Sequence, residues 1–173
     1  MTINGWALAL FMVGVAAGRA AAADPPSLEH VGVVDAPIDQ VWDAFTTSEG
    51  LRGWMAPHAD IDLALSGKMR TNFDAQAALG GPGTIENTVL AFEPKRMIAF
   101  KVSHVPEGFP FVNAIKSMWT VVYFDSIDAG HTRVRQVSLG FGGDDESQRM
   151  RAFFDQADAQ LLQALQRRFS RTP

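Results

Sequence analysis

Polar and apolar residues alternate in several short stretches of the chain and fall into a helical period in three others. LEHVGVV (residues 28–34) reads as a strand that stops at Asp35-Ala36-Pro37. A helical pattern begins at once, with Pro37 at the first helical position, where its missing N–H is harmless. Val41, Trp42 and Phe45 share one face of that helix, and Asp39, Gln40 and Asp43 take the other. Thr47-Ser48-Glu49-Gly50 interrupts the pattern, LRGWM (51–55) gives a second short turn of helix, and Pro57 ends it. From Ala59 the period becomes that of strands. Met69, Thr71 and Phe73 alternate against Lys68, Arg70 and Asn72, which predicts a hairpin about Ser66-Gly67.

AQAALGGPG (75–83) is a glycine-rich loop, and TIENTVLAF (84–92) and RMIAFKVS (96–103) are strands joined through Glu93-Pro94-Lys95. VPEGFPFVNAIK (105–116) is a longer connection, broken by Pro106, Gly108 and Pro110. Strands over 117–127 and 131–141 follow, turning at Asp128-Ala129-Gly130. Asp144 and Asp145 then precede a long helix, with Gln148 spaced from Asp145 for a capping box. Met150, Phe153, Phe154, Ala157, Leu161, Leu165 and Phe169 form its apolar stripe. Alternating strands with no crossover helix between them predict an antiparallel sheet, and the stripe must lie on that sheet.

Residues 6–17 (WALALFMVGVAA) add a different signal. This run is too short to span a membrane as a helix and is followed by AAAAD, with small-residue cleavage sites up to Ala23. It predicts a secretory signal peptide over residues 1–23 and a single domain over 24–173, placing the mature protein outside the cell or in the periplasm. No Lys or Arg precedes the apolar run, and Arg19 follows it, so an uncleaved membrane tether is the rival expectation. With 15 Lys and Arg against 19 Asp and Glu, the chain has no bulk charge that would draw nucleic acid or anionic lipid. Arg167, Arg168 and Arg171 sit where they complement the terminal helix dipole. Absence of cysteine excludes disulfides, thiolate metal sites and a cysteine nucleophile.

Three stretches in this order resemble a known superfamily: APIDQVWDAFTTSEGLRGWM, TIENTVLAFEPKRMIAFKV, and HTRVRQVSLGF leading into the final helix. The chain is identified as a member of the START-like (SRPBCC) superfamily, and within it resembles the branch of the chaperone ATPase-activator homologues. The resemblance runs over about residues 28–169. It implies an α+β helix-grip fold, a curved antiparallel sheet wrapped around a long C-terminal helix, with two short helices after the first strand. It also implies a pocket between sheet and helix, with the loop over 105–116 at its mouth. The best-known members of the branch act on a cytosolic, ATP-driven chaperone, an activity that a secreted protein is not expected to share.

Candidate chemistry is sparse. None of His30, His58, His104 and His131 has the spacing of a metal site, and no nucleophile triad or phosphate loop can be assembled. No catalytic residue, metal or cofactor is therefore expected. His30 and His131 are expected on the surface, and His58 near the pocket end. Alternation places His104 on one face with Ile98, Phe100 and Val102, as a polar contact for a ligand. Asp39 and Asp43 form a solvated face. Only one of Glu86 and Asn87 can point inward, and Arg133 and Arg135 are expected to point outward. Twelve Phe, four Trp and one Tyr remain. Of these, Trp54, Phe73, Phe100, Phe109, Phe111, Trp119 and Phe153, with Met55, Met118 and Leu161, are expected to line either a cavity or a solid core.

Three functions stay open at this point. One is a secreted or periplasmic binder of a small lipophilic molecule. Another is an enzyme similar to polyketide cyclases and dehydratases of the superfamily, using His104 with Glu86 or Tyr123. The third is a protein-binding module using the outer sheet or the 105–116 loop. No nucleic-acid partner is expected, and membrane contact only through an uncleaved N-terminal segment. No protein partner can be named.

Overall fold

The computed structural model describes residues 27–170. The predicted signal peptide lies outside them. Seven strands are β1 (Leu28–Val34), β2 (His58–Ile61), β3 (Lys68–Asn72), β4 (Ile85–Glu93), β5 (Met97–His104), β6 (Trp119–Ser126) and β7 (Thr132–Leu139). They pair antiparallel throughout, in the order β1-β7-β6-β5-β4-β3-β2. Helices α1 (Ile38–Thr46) and α2 (Ser48–Arg52) follow β1, and α3 (Asp145–Phe169) crosses the concave face of the sheet. This is the helix-grip fold. No helix among the described residues is long and apolar enough to cross a membrane.

The two short helices depart from the sequence pattern in detail. Pro37 is the N-cap of α1, one position earlier than expected, and its carbonyl accepts from Gln40 and Val41. Helix α2 begins at Ser48, inside the stretch that looked like an interruption, because Thr47 Oγ1 accepts from Gly50 N (2.9 Å) and caps it. Trp54 and Met55 therefore lie beyond the helix, and Trp54 is held by its Nε1–H donating to Ala44 O (2.9 Å). The cap of α3 also differs. Asp144, not Asp145, accepts from Ser147 N (3.0 Å), while the Gln148 side chain donates to Gly142 O (2.6 Å).

Buried side chains gather in three clusters rather than one. The first joins α1, the sheet and the end of α3 through Val34, Val41, Trp42, Phe45, Val122, Phe124 and Leu165. The second joins the start of α3 to the 105–118 connection through Met150, Phe111, Ile115, Met118 and Phe141. The third is small: Leu51, Ala59 and Met69.

Helix α3 is fastened near both ends. Toward its N-terminus, Glu146 Oε1 accepts from Asn113 N (2.9 Å) and Ala114 N (3.1 Å), and Met150 is fully buried. Toward its C-terminus, Gln166 Nε2 donates to Val33 O (2.9 Å) and Arg168 Nη1 to Gly50 O (2.8 Å). There Gly32 lets the helix lie close to the sheet, since a Cβ would stand 3.0 Å from Leu162 Cδ2 and push that side chain aside by a few tenths of an ångström. At the other end Gly140, with φ +88°, lets β7 pass Ser117 O, which a Cβ would approach to 2.1 Å.

Candidate functional site

The first and third clusters share Ile61 and Phe100 at their edges, and the second stands apart from the third. Between the three lies a partly open cavity of about 480 Å³, roofed by the middle of α3 and floored by the concave face of the sheet. Phe45, Trp54 and Phe100 border it from the first cluster, and Val102, Val105, Phe109, Ile115, Met118 and Phe154 from the second. Met55 and Met69 border it from the third. Phe153, Ala157 and Leu161 come from α3. The exposed lining residues Phe73, Glu107, Gly108 and Phe153 mark the mouth.

Eight of the residues singled out in the sequence thus stand on the wall: Trp54, Met55, Phe73, Phe100, Phe109, Met118, Phe153 and Leu161. Three do not. Phe111 is buried behind the wall, its ring 5.6 Å from Phe109 and 5.7 Å from Phe153. Trp119 pairs with Leu139 at the start of β6 and points to the opposite face from Thr120, which does line the cavity. His104 is turned away by an irregularity in its strand. Asn87 pairs with Val102, but the next residue back on β4, Glu86, pairs with His104, skipping Ser103. This β-bulge takes His104 off the face shared by Phe100 and Val102 and puts it on the exposed side with Glu86. Asn87 is the inward member of its pair; Glu86 Oε2 faces outward, 3.8 Å from Lys68 Nζ.

Other expectations divide similarly. Arg133 and Arg135 point outward, and Arg135 lies over the Tyr123 ring, 4.1 Å from its centroid. Hence His104, Glu86 and Tyr123 all lie outside the cavity. His131 is exposed and bonded to Asp128 (2.8 Å), and His58 Nε2 contacts Ala75 O (3.2 Å). His30 is not a surface residue: it faces α3, half-buried, with Nε2 3.2 Å from Asp155 Oδ1 but misaligned for a hydrogen bond.

The polar residues that do reach the cavity were not singled out from the sequence. They are Thr120, Gln136 and Asp158, with Asn87 on β4 and Glu107 at the mouth. Asp158 is 5% exposed. Ser138 Oγ donates to Asp158 Oδ2 (3.2 Å), and since Ser138 has one proton to give, Thr120 donates in its 3.1 Å contact with Ser138. Burial pushes the Asp158 carboxyl up to about 6, against the opposing pull of Ser138, Gln136 and the nearby His30. A signal for this residue exists in the sequence. Position 158 continues the 150, 154, 161, 165 spacing of the apolar stripe, so an acid there must face the sheet. Gln136 and Ser138 alternate against Arg133 and Arg135 and share an inner face with Val134.

A curved antiparallel sheet gripping a C-terminal helix over an internal cavity defines the START-like (SRPBCC) class. Residues 35–168 match the model of the activator of Hsp90 ATPase homolog 1-like proteins, and the chain belongs to that family. Among solved structures it is similar to protein MLL2253 of Mesorhizobium loti (17% identity, TM-score 0.66, 86% of this chain and 99% of that one). It is also similar to the Aha1 dimer of Colwellia psychrerythraea (17%, TM-score 0.62, 83% and 96%). DynU16, from the dynemicin biosynthetic locus, shares the fold over 82% of this chain and 46% of its own length (17%, TM-score 0.60). No curated protein matches the sequence.

Proposed function

We propose that this protein is an exported binder of a small lipophilic molecule, held in the cavity between sheet and α3. The cavity itself carries the proposal. It is lined mainly by aromatic and aliphatic side chains, with a few polar groups gathered near Asp158. Left empty and dry, a space of that size would be worth on the order of 10 kcal/mol of lost stability at the slope seen for core cavities. That is comparable with the whole stability of a typical domain, about 5–15 kcal/mol. An apolar wall gives water few partners, so a lipophilic guest is the better filling. Export rests on the apolar run over residues 6–17 and the small residues after it.

The cyclase-like alternative loses its nominated acid–base pair, because His104, Glu86 and Tyr123 stand outside the cavity. Asp158 would be its only deeply buried acid among the described residues that line the cavity, with no His, Lys or Arg beside it on the wall.

The test is uptake of Nile red, a neutral lipophilic dye, followed by its emission on titration with protein. Wild-type protein is expected to take up the dye with saturation. Ala157→Phe, which places a ring into the cavity from the middle of α3, is expected to weaken uptake by at least tenfold while keeping the wild-type circular dichroism. Uptake that ignores Ala157→Phe would place the dye elsewhere and overturn the proposal.

A further inference from the structure

The charged residues on the cavity wall are of one sign. Asp158 lies deep inside and Glu107 at the mouth, and no Lys, Arg or His lines the cavity. A carboxylate can accept about four hydrogen bonds. Ser138 supplies one to Asp158 Oδ2, and the Gln136 amide stands alongside. His30, the nearby imidazole, is outside the cavity wall and lies against Asp155. With no cation on the cavity wall, the carboxylate is poorly compensated from the cavity side, and a ligand can supply what the wall does not.

We propose that Asp158 anchors a protonated amine at one end of an otherwise lipophilic ligand, with Thr120 and Gln136 as the neighbouring polar contacts. The assignment rests on the cavity being a ligand site, as proposed above, and adds the chemical class of the guest. An ammonium group satisfies the free acceptor positions and restores neutrality inside the cavity. A hydroxyl satisfies the acceptors but leaves the charge. A carboxylate or phosphate is repelled by Asp158 and finds no basic side chain on the wall. Glu107 at the mouth favours the same sign of guest during entry.

The experiment is isothermal titration calorimetry above pH 7 with decylamine, decanol and decanoate, which share a tail and differ in the polar end. Wild-type protein is expected to bind decylamine roughly 10- to 100-fold more tightly than decanol, the range of one hydrogen bond to a charged group, with decanoate the weakest. Asp158→Asn is expected to erase the amine preference, and a wild-type circular dichroism spectrum reports that the variant is folded. A variant that keeps the preference, or a wild type that binds decanoate as well as decylamine, overturns the anchor while decanol binding still supports the cavity. If none of the three binds wild-type protein, the cavity proposal itself fails, and the anchor with it.

Discussion

Asp158→Asn is expected to make the protein more stable, by up to about 3 kcal/mol well above pH 6, with the gain vanishing well below pH 3.8. The carboxyl is raised from 3.8 to about 6 chiefly by burial, and each unit of such a shift is worth about 1.4 kcal/mol. Between those two values the folded protein holds a proton that the unfolded chain has lost. Wild-type stability therefore falls as pH rises through that window and is lowest, for this group, once Asp158 is ionised in both states. Asparagine carries no charge to bury and keeps an oxygen for the Ser138 hydroxyl. Thermal unfolding should show the variant ahead by roughly 6–12 °C above pH 7 and the two proteins converging in acid. A wild type with no such pH dependence would mean that water inside the cavity solvates the carboxylate.

Trp42→Ala is expected to remove about 3–5 kcal/mol of stability, the range for a large aromatic truncated in a core. Trp42 is 7% exposed and packs edge-on to Phe124 at 5.5 Å, within the cluster that binds α1 to the sheet and to Leu165 of α3. Phe124 in turn meets Phe45 at 5.1 Å, and Phe45 meets Trp54 at 4.8 Å. Phe45 and Trp54 both border the cavity, so the indole of Trp42 stands at the far end of an aromatic row that shapes the wall. Urea unfolding at unchanged slope would measure the loss. Trp119→Ala is the control: that ring, 37% exposed on the other face of the sheet, is expected to matter by less than about 1 kcal/mol. Equal losses in the two variants would refute the anchoring role given to Trp42.

Much of the wall, but not its acid, is legible in the residues alone. Helix α1 and the strands were legible because periodicity answers the question of which face is buried, and Val41, Trp42 and Phe45 have one face in common. Most of the wall followed from the same rule: Phe100 and Leu161 stand where their strand and helix periods put them. What failed was counting through an irregularity. One skipped residue at Ser103 reversed the direction of His104, and nothing in RMIAFKVSH announces a bulge. Adjacent residues posed a simpler limit, since Met118 and Trp119 cannot both face inward and only Met118 does. Asp158 was missed for a different reason. Its place in the stripe gives its direction, but only β7 beneath it, bringing Gln136 and Ser138, shows that it is buried among polar partners at a cavity.

The way α3 is held has a mechanical consequence. It is a beam resting on two abutments, Met150 with Glu146 at one and Leu165 with Gln166 and Arg168 at the other, and its midspan, from Phe154 to Leu161, bridges the void. Lifting that roof would require breaking a support, with fully buried side chains drawn into water. The crown of the opening is held more lightly, by the Phe109 ring against Phe111. Gly108, with φ +81° and open space around its Cα, and Phe109 beside it belong to a connection with no strand partner of its own. Entry of the proposed ligand is therefore expected at the sill and not at the roof.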